Sequence, residues 1–100
     1  MRISYSSKQL QRECTDDREM KRKRGSVALK LRLRINALNA ATSLEDLQTL
    51  DPLGRWHPLT ANRSGQWAGD LSRNWRLIVE DDGVEGGEVS VMVIEIRDYH

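Results

Sequence analysis

The two histidines of this chain are the residues best suited to acid–base chemistry near neutral pH. His57 directly precedes a proline, and His100 follows Asp98 and Tyr99 at the end of the 100-residue sequence. Because imidazole exchanges its proton near neutrality, this set can supply a base and an acid for metal-free cleavage of a phosphodiester such as RNA. The predicted base is His57 or Asp98. The predicted acid is His100 or Tyr99.

Three arginines in the second half of the chain can neutralise the phosphate during such a reaction. The guanidinium groups of Arg63, Arg73 and Arg76 are permanently charged, and their planar shape matches two phosphate oxygens at once. Negative charge grows on the phosphate oxygens in the transition state, so cations held there accelerate the reaction. We therefore predict a positive clamp on RNA. Arg73 lies in a turn-forming segment, and it can also be merely solvated.

Aromatic side chains are the usual platforms for unpaired bases, and the candidates here are Trp56, Trp67, Trp75 and Tyr99. We predict that Trp75 contributes to RNA binding. Trp67 and Trp75 also suit the hydrophobic core, because five aromatic residues without any Phe must serve the whole domain. His57 likewise has a structural alternative, since it can end a strand on a hydrogen bond.

The composition indicates one soluble globular domain spanning residues 1–100. Hydrophobic residues make up 38% of the chain and charged residues 31%. No apolar run approaches the roughly 20 residues that cross a bilayer, and the polar N-terminus lacks a signal core, so we expect a cytoplasmic protein without membrane contact. The lone Cys14 cannot form an internal disulfide. Without clustered Cys or His ligands, we expect no metal and no cofactor.

Charge is distributed unevenly along the chain. Residues 8–34 carry ten Lys or Arg against four Asp or Glu, whereas residues 80–98 carry one Arg against seven Asp or Glu. A basic half of this kind can face nucleic acid or an acidic protein, although a solvated helix surface has the same composition.

The first half of the chain is predicted to be helical. A short helix is expected to begin at Ser6 or Ser7, which are good N-caps, and to end before Gly25. The run 27–41 alternates like a strand in part, but its length and its Leu, Ala, Lys and Arg content favour a helix. Ser43 is expected to open one more short turn, which the segment 51–54 ends.

The second half is predicted to form an antiparallel meander. Four runs rich in β-branched and aromatic residues are separated by turn-forming sequences, and the last run has two mostly apolar faces, which favours a central strand. The expected strands cover 55–59, 67–71, 75–80 and 88–97, with turns at 62–65, 72–74 and 81–83. Helices followed by strands predict an α+β fold in which the N-terminal helices pack on one face of a curved antiparallel sheet.

A series of five short motifs resembles the host-inhibition-of-growth (HigB) toxins, or plasmid maintenance killer proteins, of the RelE/ParE toxin–antitoxin superfamily. The motifs follow the family's order and spacing over residues 27–100: the segment 36–46, His57-Pro58-Leu59, Arg63 with Gly65 and Trp67, Asn74-Trp75-Arg76, and Asp98-Tyr99-His100. The resemblance implies helices on a curved antiparallel sheet and ribosome-dependent endoribonuclease activity on translated mRNA. It also implies a helix-turn-helix antitoxin of the HigA type, through which alone the toxin contacts operator DNA.

Carried over residue by residue, the resemblance assigns catalysis or RNA contact to His57, Arg76 and the terminal segment Asp98-Tyr99-His100, and RNA contact to Arg63. The chain departs from the family at Thr60, where members commonly have a Lys after the His-Pro-Leu motif. One phosphate-neutralising cation is therefore missing, and the nearby Arg73 is a candidate to replace it.

Two other functions remain open at this point. One is a toxin of the ParE branch, which inhibits DNA gyrase by protein contact and does not rely on paired histidines. The other is a decayed toxin that serves only as an antitoxin-binding corepressor, for which Thr60 is the best support.

Overall fold

The computed structural model describes residues 1–99 and consists of a helical layer on a five-stranded sheet. The helices are α1 (Lys8–Thr15), α2 (Asp17–Arg24), α3 (Ala28–Ala40) and α4 (Asp46–Leu50). The strands are β1 (Arg2–Tyr5), β2 (His57–Pro58), β3 (Gln66–Asp70), β4 (Trp75–Glu85) and β5 (Glu88–Asp98). This arrangement confirms the predicted α+β class. No helix within residues 1–99 is long and apolar enough to cross a membrane.

The sheet contains the predicted meander and one strand that was not predicted. Its order is β1-β5-β4-β3-β2, and the strands β2 to β5 pair antiparallel as expected. β1 lies beside β5 and runs parallel to it, with Ile3 opposite Val91 and Tyr5 opposite Val93. The prediction of a wholly antiparallel sheet was therefore wrong at this edge. β5 is paired on both sides, as its two apolar faces indicated.

The predicted first helix is divided into α1 and α2 at Asp16. Ser7 caps α1, since its hydroxyl accepts a hydrogen bond from the backbone N–H of Leu10 at 3.1 Å. Asp16 takes extended backbone angles and its carboxylate accepts hydrogen bonds from the N–H groups of Arg18 and Glu19, which begins a new helix. A second capping residue inside the run thus ends one helix and starts another.

The helix predicted over 27–41 is confirmed as α3, which buries one face against the sheet. Leu31, Ile35 and Leu38 are buried on this face, and they pack with Val79 and Val93 of the sheet in one hydrophobic cluster. The strand-like alternation of leucines in this run instead leaves Leu29 and Leu33 exposed on α3.

The acidic segment 81–87 is part of a hairpin rather than a loop. β4 continues through the predicted turn at 81–83 to Glu85, and the chain reverses at Gly86 and Gly87, which both have positive φ angles. Gly83, at φ +83°, lies where the register of β4 against β5 shifts. The prediction of a turn was wrong because a glycine after aspartates suits a bulge as well as a turn.

A second register shift changes which residues of β5 face the helices. Val93 lies opposite Val79, whereas Glu95 lies opposite Ile78 and Ile96 opposite Leu77. Val93 and Ile96 therefore share the core face although they are three residues apart. Regular alternation along the predicted strand 88–97 would place Glu95 on the same face as Val93, and this prediction was wrong from the bulge onward. Glu95 instead lies on the face of the sheet away from the helices.

A buried polar network joins α3 to the segment that precedes β2. Arg34, only 2% exposed, donates hydrogen bonds from Nη1 to both carboxylate oxygens of Asp51, at 2.9 and 3.1 Å, and from Nε to the carbonyl of Asp70. Asp51 also accepts a hydrogen bond from the indole Nε1 of Trp56 at 3.0 Å. Trp56 packs against Gly69, where an added Cβ would come within 2.7 Å of the ring. The network fixes the residue directly before His57.

Replacing Asp51 by Ala should lower the free energy of unfolding by about 3–5 kcal/mol, because the buried Arg34 charge would lose its partner. Chemical denaturation of Asp51→Ala beside Asp82→Ala, which removes an exposed carboxylate, measures the difference. A loss no larger than that of the control would contradict the role of the network.

Burial also affects the pKa of the only thiol. Cys14 is fully buried, and burial together with the charge of Glu13 raises its pKa from 9.0 to about 12. The folded state thus disfavours the thiolate, which the unfolded chain forms at lower pH. Stability from this group is complete below pH 9 and is lost as pH rises towards 12.

We therefore expect the free energy of unfolding to fall as pH rises above 9. Tyr5 contributes in the same direction, because burial raises its pKa to about 12. Urea titrations at successive pH values, repeated with Cys14→Ala, measure the effect, which should be smaller in the variant. An equal fall in both proteins would show that a group other than Cys14 causes the loss of stability.

Candidate active site

His57 lies at the exposed outer strand of the sheet with its ring orientation fixed by the backbone. Its Nδ1 atom is 2.9 Å from the carbonyl oxygen of Arg55. A carbonyl can only accept a hydrogen bond, so Nδ1 carries the proton of the neutral ring. Nε2 is then unprotonated and can accept a proton from a substrate hydroxyl. This tautomer is the one that a general base requires.

Antiparallel register brings His57, Arg76 and Tyr99 to one cavity on the face of the sheet away from the helices. His57 lies opposite Ala68 in β3, which lies opposite Ile78 in β4. Since alternate residues of a strand share a face, Arg76 lies on the same side as Ile78. The cavity has a volume of about 270 Å³ and is lined by His57, Leu59, Ala68, Arg76 and Tyr99.

Arg76 is held in place by four protein oxygens. Its Nε atom lies 2.9 Å from a carboxylate oxygen of Asp70. Its Nη1 atom donates to the carbonyls of Ser72, Arg73 and Trp75 at 2.8, 3.2 and 3.0 Å. None of these four contacts involves Nη2. The guanidinium thus organises the β3–β4 turn and contributes a fixed positive charge to the cavity.

The end of β5 completes the cavity. The backbone N–H of Tyr99 donates to the carbonyl of Asn74 at 2.8 Å, and the Arg97 guanidinium lies 5.3 Å from the centre of the Tyr99 ring. Tyr99 is 45% exposed, so its hydroxyl can reach a bound ligand. Asp98 lies opposite Trp75, on the other face of the strand, and does not line the cavity. The predicted role of His100 lies outside the described residues.

The remaining arginine candidates are not brought to this cavity. Arg63 donates from Nη2 to Glu95 at 3.0 Å, and Glu95 also pairs with Arg97. Arg73 lines a neighbouring cavity that shares Arg76 with the first. Thr60, the departure from the family pattern, is exposed at the start of a short 3₁₀ turn, Ala61–Arg63.

The tryptophans lie on the helix side of the sheet. Trp75 packs against the hydrophobic core, with the Arg24 guanidinium 5.8 Å from its ring centre. Trp67 packs against the same core, and Trp56 is only 3% exposed. Stacking of Trp56 on a base was therefore a wrong prediction, because the ring is enclosed by protein. The structure does not bring Trp75 together with His57.

Sequence reasoning missed Asp70 and Arg97, which contact the predicted residues. Neither residue lies in a motif, and only the strand register shows that Arg76 lies opposite both of them. Within residues 1–99, no three His, Cys, Asp or Glu side chains are grouped closely enough to hold a metal ion.

Solved structures of bacterial toxins share this architecture. The YoeB/ParE toxin from Agrobacterium tumefaciens aligns over all of both chains with a TM-score of 0.63 and 18% identity. YafQ from E. coli aligns over 98% of this chain and 93% of its own, with a TM-score of 0.60 and 19% identity. The chain has the fold of these toxins. This agrees with the RelE/ParE-like fold implied by the sequence motifs.

A third match is the YoeB–YefM complex from Staphylococcus aureus, which aligns over 100% of this chain and 97% of that chain with a TM-score of 0.57 and 14% identity. No family model matches the chain, and no curated protein matches it. The likeness to YoeB and YafQ therefore concerns the fold. Assignment to the HigB group stays a prediction.

The hydrogen bond to Arg55 makes the tautomer of His57 a direct test of the site. Above neutral pH, we expect ¹⁵N NMR to show His57 protonated on Nδ1, whereas an unconstrained imidazole favours Nε2. A His100→Gln variant assigns the two imidazole signals. Predominant protonation on Nε2 would show that His57 is not oriented as a base.

Proposed function

We propose that the protein is the toxin of a type II toxin–antitoxin system and a ribosome-dependent endoribonuclease of the HigB type. The observation that carries this proposal is the convergence of His57, Arg76 and Tyr99 on one cavity in the fold of YoeB and YafQ. These residues supply a base, a cation and a phenol. That set suits cleavage of RNA and is not needed by a toxin that acts through protein contact alone.

The reaction begins at the ribose 2′-hydroxyl of the bound RNA. His57 Nε2 takes its proton while the 2′-oxygen attacks the adjacent phosphorus. The bond from phosphorus to the 5′-oxygen breaks, and that oxygen receives a proton from Tyr99 or His100. The products are a 2′,3′-cyclic phosphate and a 5′-hydroxyl. Arg76 Nη2 stabilises the additional negative charge of the pentavalent phosphorane, and the residues require no metal or cofactor.

Ribosome dependence follows from the openness of this site. His57 is exposed and Tyr99 is 45% exposed, so the protein alone does little to align the attacking oxygen with the leaving oxygen. A strand held by the ribosome would provide that alignment, which is worth several kcal/mol of activation free energy. The proposed substrate is therefore translated mRNA in the cytoplasm.

The proposed protein partner is a cognate antitoxin. The matching folds include a YoeB–YefM complex and a DinJ–YafQ complex, which aligns over 98% of this chain with a TM-score of 0.59. We propose a helix-turn-helix antitoxin of the HigA type, with operator DNA contacted through the antitoxin only. The basic surface of α2 is available to an acidic segment of such a protein.

The test is single-turnover cleavage of mRNA on programmed ribosomes. Arg76→Ala should lower the rate constant by roughly 10²–10³, the usual loss for one preorganised charge donor. Arg76→Lys should recover only part of the lost rate. A lysine keeps the positive charge, but its single nitrogen cannot contact both the turn carbonyls and the phosphate. Arg18→Ala, which removes an exposed arginine on α2, is the matched control. Circular dichroism confirms that the variants fold.

Two results would contradict the proposal. A near wild-type rate with Arg76→Ala and weakened antitoxin binding would assign Arg76 to the partner interface. No cleavage by the wild-type protein, together with inhibition of gyrase supercoiling, would assign the chain to the ParE mode of action.

A further inference from the structure

A second cavity lies directly beside the first and is strongly basic. It has a volume of about 350 Å³ and shares Arg76 with the cavity that holds His57. Its lining brings together residues from α3, from the turn before β2 and from the β3–β4 turn. The charged members are Lys30, Arg34, Arg55, Asp70, Arg73 and Arg76.

Three of these cations are not neutralised by close protein partners. Among residues 1–99, no carboxylate lies within 4.0 Å of Lys30 or Arg73. Arg55 lies 3.7 Å from Asp70, but its side chain is 80% exposed, so this pairing is loose. The carboxylate of Asp70 is closer to Arg76, at 2.9 Å. The cavity therefore holds a surplus of positive charge.

The backbone at Arg55 indicates that the cation is placed there at a cost. Arg55 has a φ angle of +48° and lies in the left-handed region, which glycine and asparagine favour. Its side chain makes no contribution to the core, because it projects into solvent beside the cavity. An arginine at this position disfavours folding, and its charge is the property that a glycine would lack.

We propose that this second cavity is a phosphate-binding subsite for the RNA strand that enters the His57 cavity. The ligand is a phosphodiester group next to the one that is cleaved, and Lys30, Arg55 and Arg73 are the residues that bind it. This inference rests on the proposed function. Arg76 belongs to both cavities, so one strand can pass from the reacting phosphate to the neighbouring one without leaving the protein surface.

The arrangement of the cations favours RNA over an acidic protein segment as the ligand. The cations line a concave space that shares Arg76 with the proposed catalytic cavity, whereas an acidic helix would need an extended apolar strip alongside the charges. Exposed phosphates spaced along a single strand suit such a row of guanidinium and ammonium groups.

The experiment measures binding of a fluorescein-labelled RNA hexanucleotide that is 2′-O-methylated throughout and cannot be cleaved. The variant Lys30→Ala/Arg55→Ala should bind roughly tenfold more weakly at low salt. The slope of log affinity against log salt should fall by about 1.4, since each single-strand phosphate contact contributes about 0.7. Lys8→Ala/Arg18→Ala removes the same charge from α1 and α2, and it should leave the slope unchanged.

A second variant separates binding from folding. Arg55→Gly removes the cation and relieves the positive φ angle, so it should weaken hexanucleotide binding while its thermal midpoint stays equal or rises. On programmed ribosomes Lys30→Ala, which leaves untouched the Arg55 carbonyl that orients His57, should raise KM with little change in kcat, because the subsite binds ground state and transition state alike.

Several outcomes would overturn the subsite. One is a salt slope equal to that of the wild type in the double variant. Another is unchanged hexanucleotide binding with weakened binding to ribosomes free of mRNA, which would assign the cavity to ribosomal RNA. A third is a loss confined to antitoxin binding. The two proposals fail separately: mRNA cleavage by the wild type with an unchanged slope would refute only the subsite, whereas a changed slope without any cleavage would refute only the catalytic assignment.

Discussion

The buried ion pair between Arg34 and Asp51 is the interaction on which the position of the site depends. Arg34 belongs to the helical layer, and Asp51 belongs to the turn that leads to the first strand of the meander. Because Asp51 also holds the indole of Trp56, the backbone of that turn cannot move without exposing a charge to an apolar interior. His57 directly follows Trp56 in the chain. The helices thereby position a catalytic candidate through the residue that precedes it.

The same network extends to the opposite side of the site through Asp70. The backbone carbonyl of Asp70 accepts from Arg34, and its carboxylate accepts from Arg76. A buried arginine and a ligand-facing arginine are therefore joined through one aspartate. The bulge in β5 completes the arrangement, since it turns Glu95 towards Arg63 and away from the core.

The parts of the fold that could be predicted are those whose sequence pattern lies within one short segment of the chain. The length of α3 and the caps at Ser7 and Asp16 are properties of short segments, although the second cap was recognised only in the structure. β1 has four residues, which is too few for a distinct pattern. The pairing of Arg34 with Asp51 spans 17 residues and exists only after α3 packs on the sheet.

In the candidate site, too, local features could be predicted from the sequence and long-range features could not. His57, Arg76 and Tyr99 carry chemical types that were recognisable in isolation, and the strand register then brought them together. Trp75 carries an equally suitable type but lies one residue away from Arg76, so it faces the helices. Residue type is visible in the sequence, whereas the face of a strand depends on bulges that no local pattern revealed.

The close approach of Trp56 to Gly69 constrains which substitutions these two positions can accept during evolution. A Cβ at position 69 would come within 2.7 Å of the indole ring, and the ring fills the space that any larger residue would need. Position 69 is therefore free to change only after position 56 has become smaller. Relatives that keep a tryptophan before the histidine should keep glycine across from it, and a smaller residue at the first position should release the second. Covariation between these sites would record a constraint of volume rather than of catalysis.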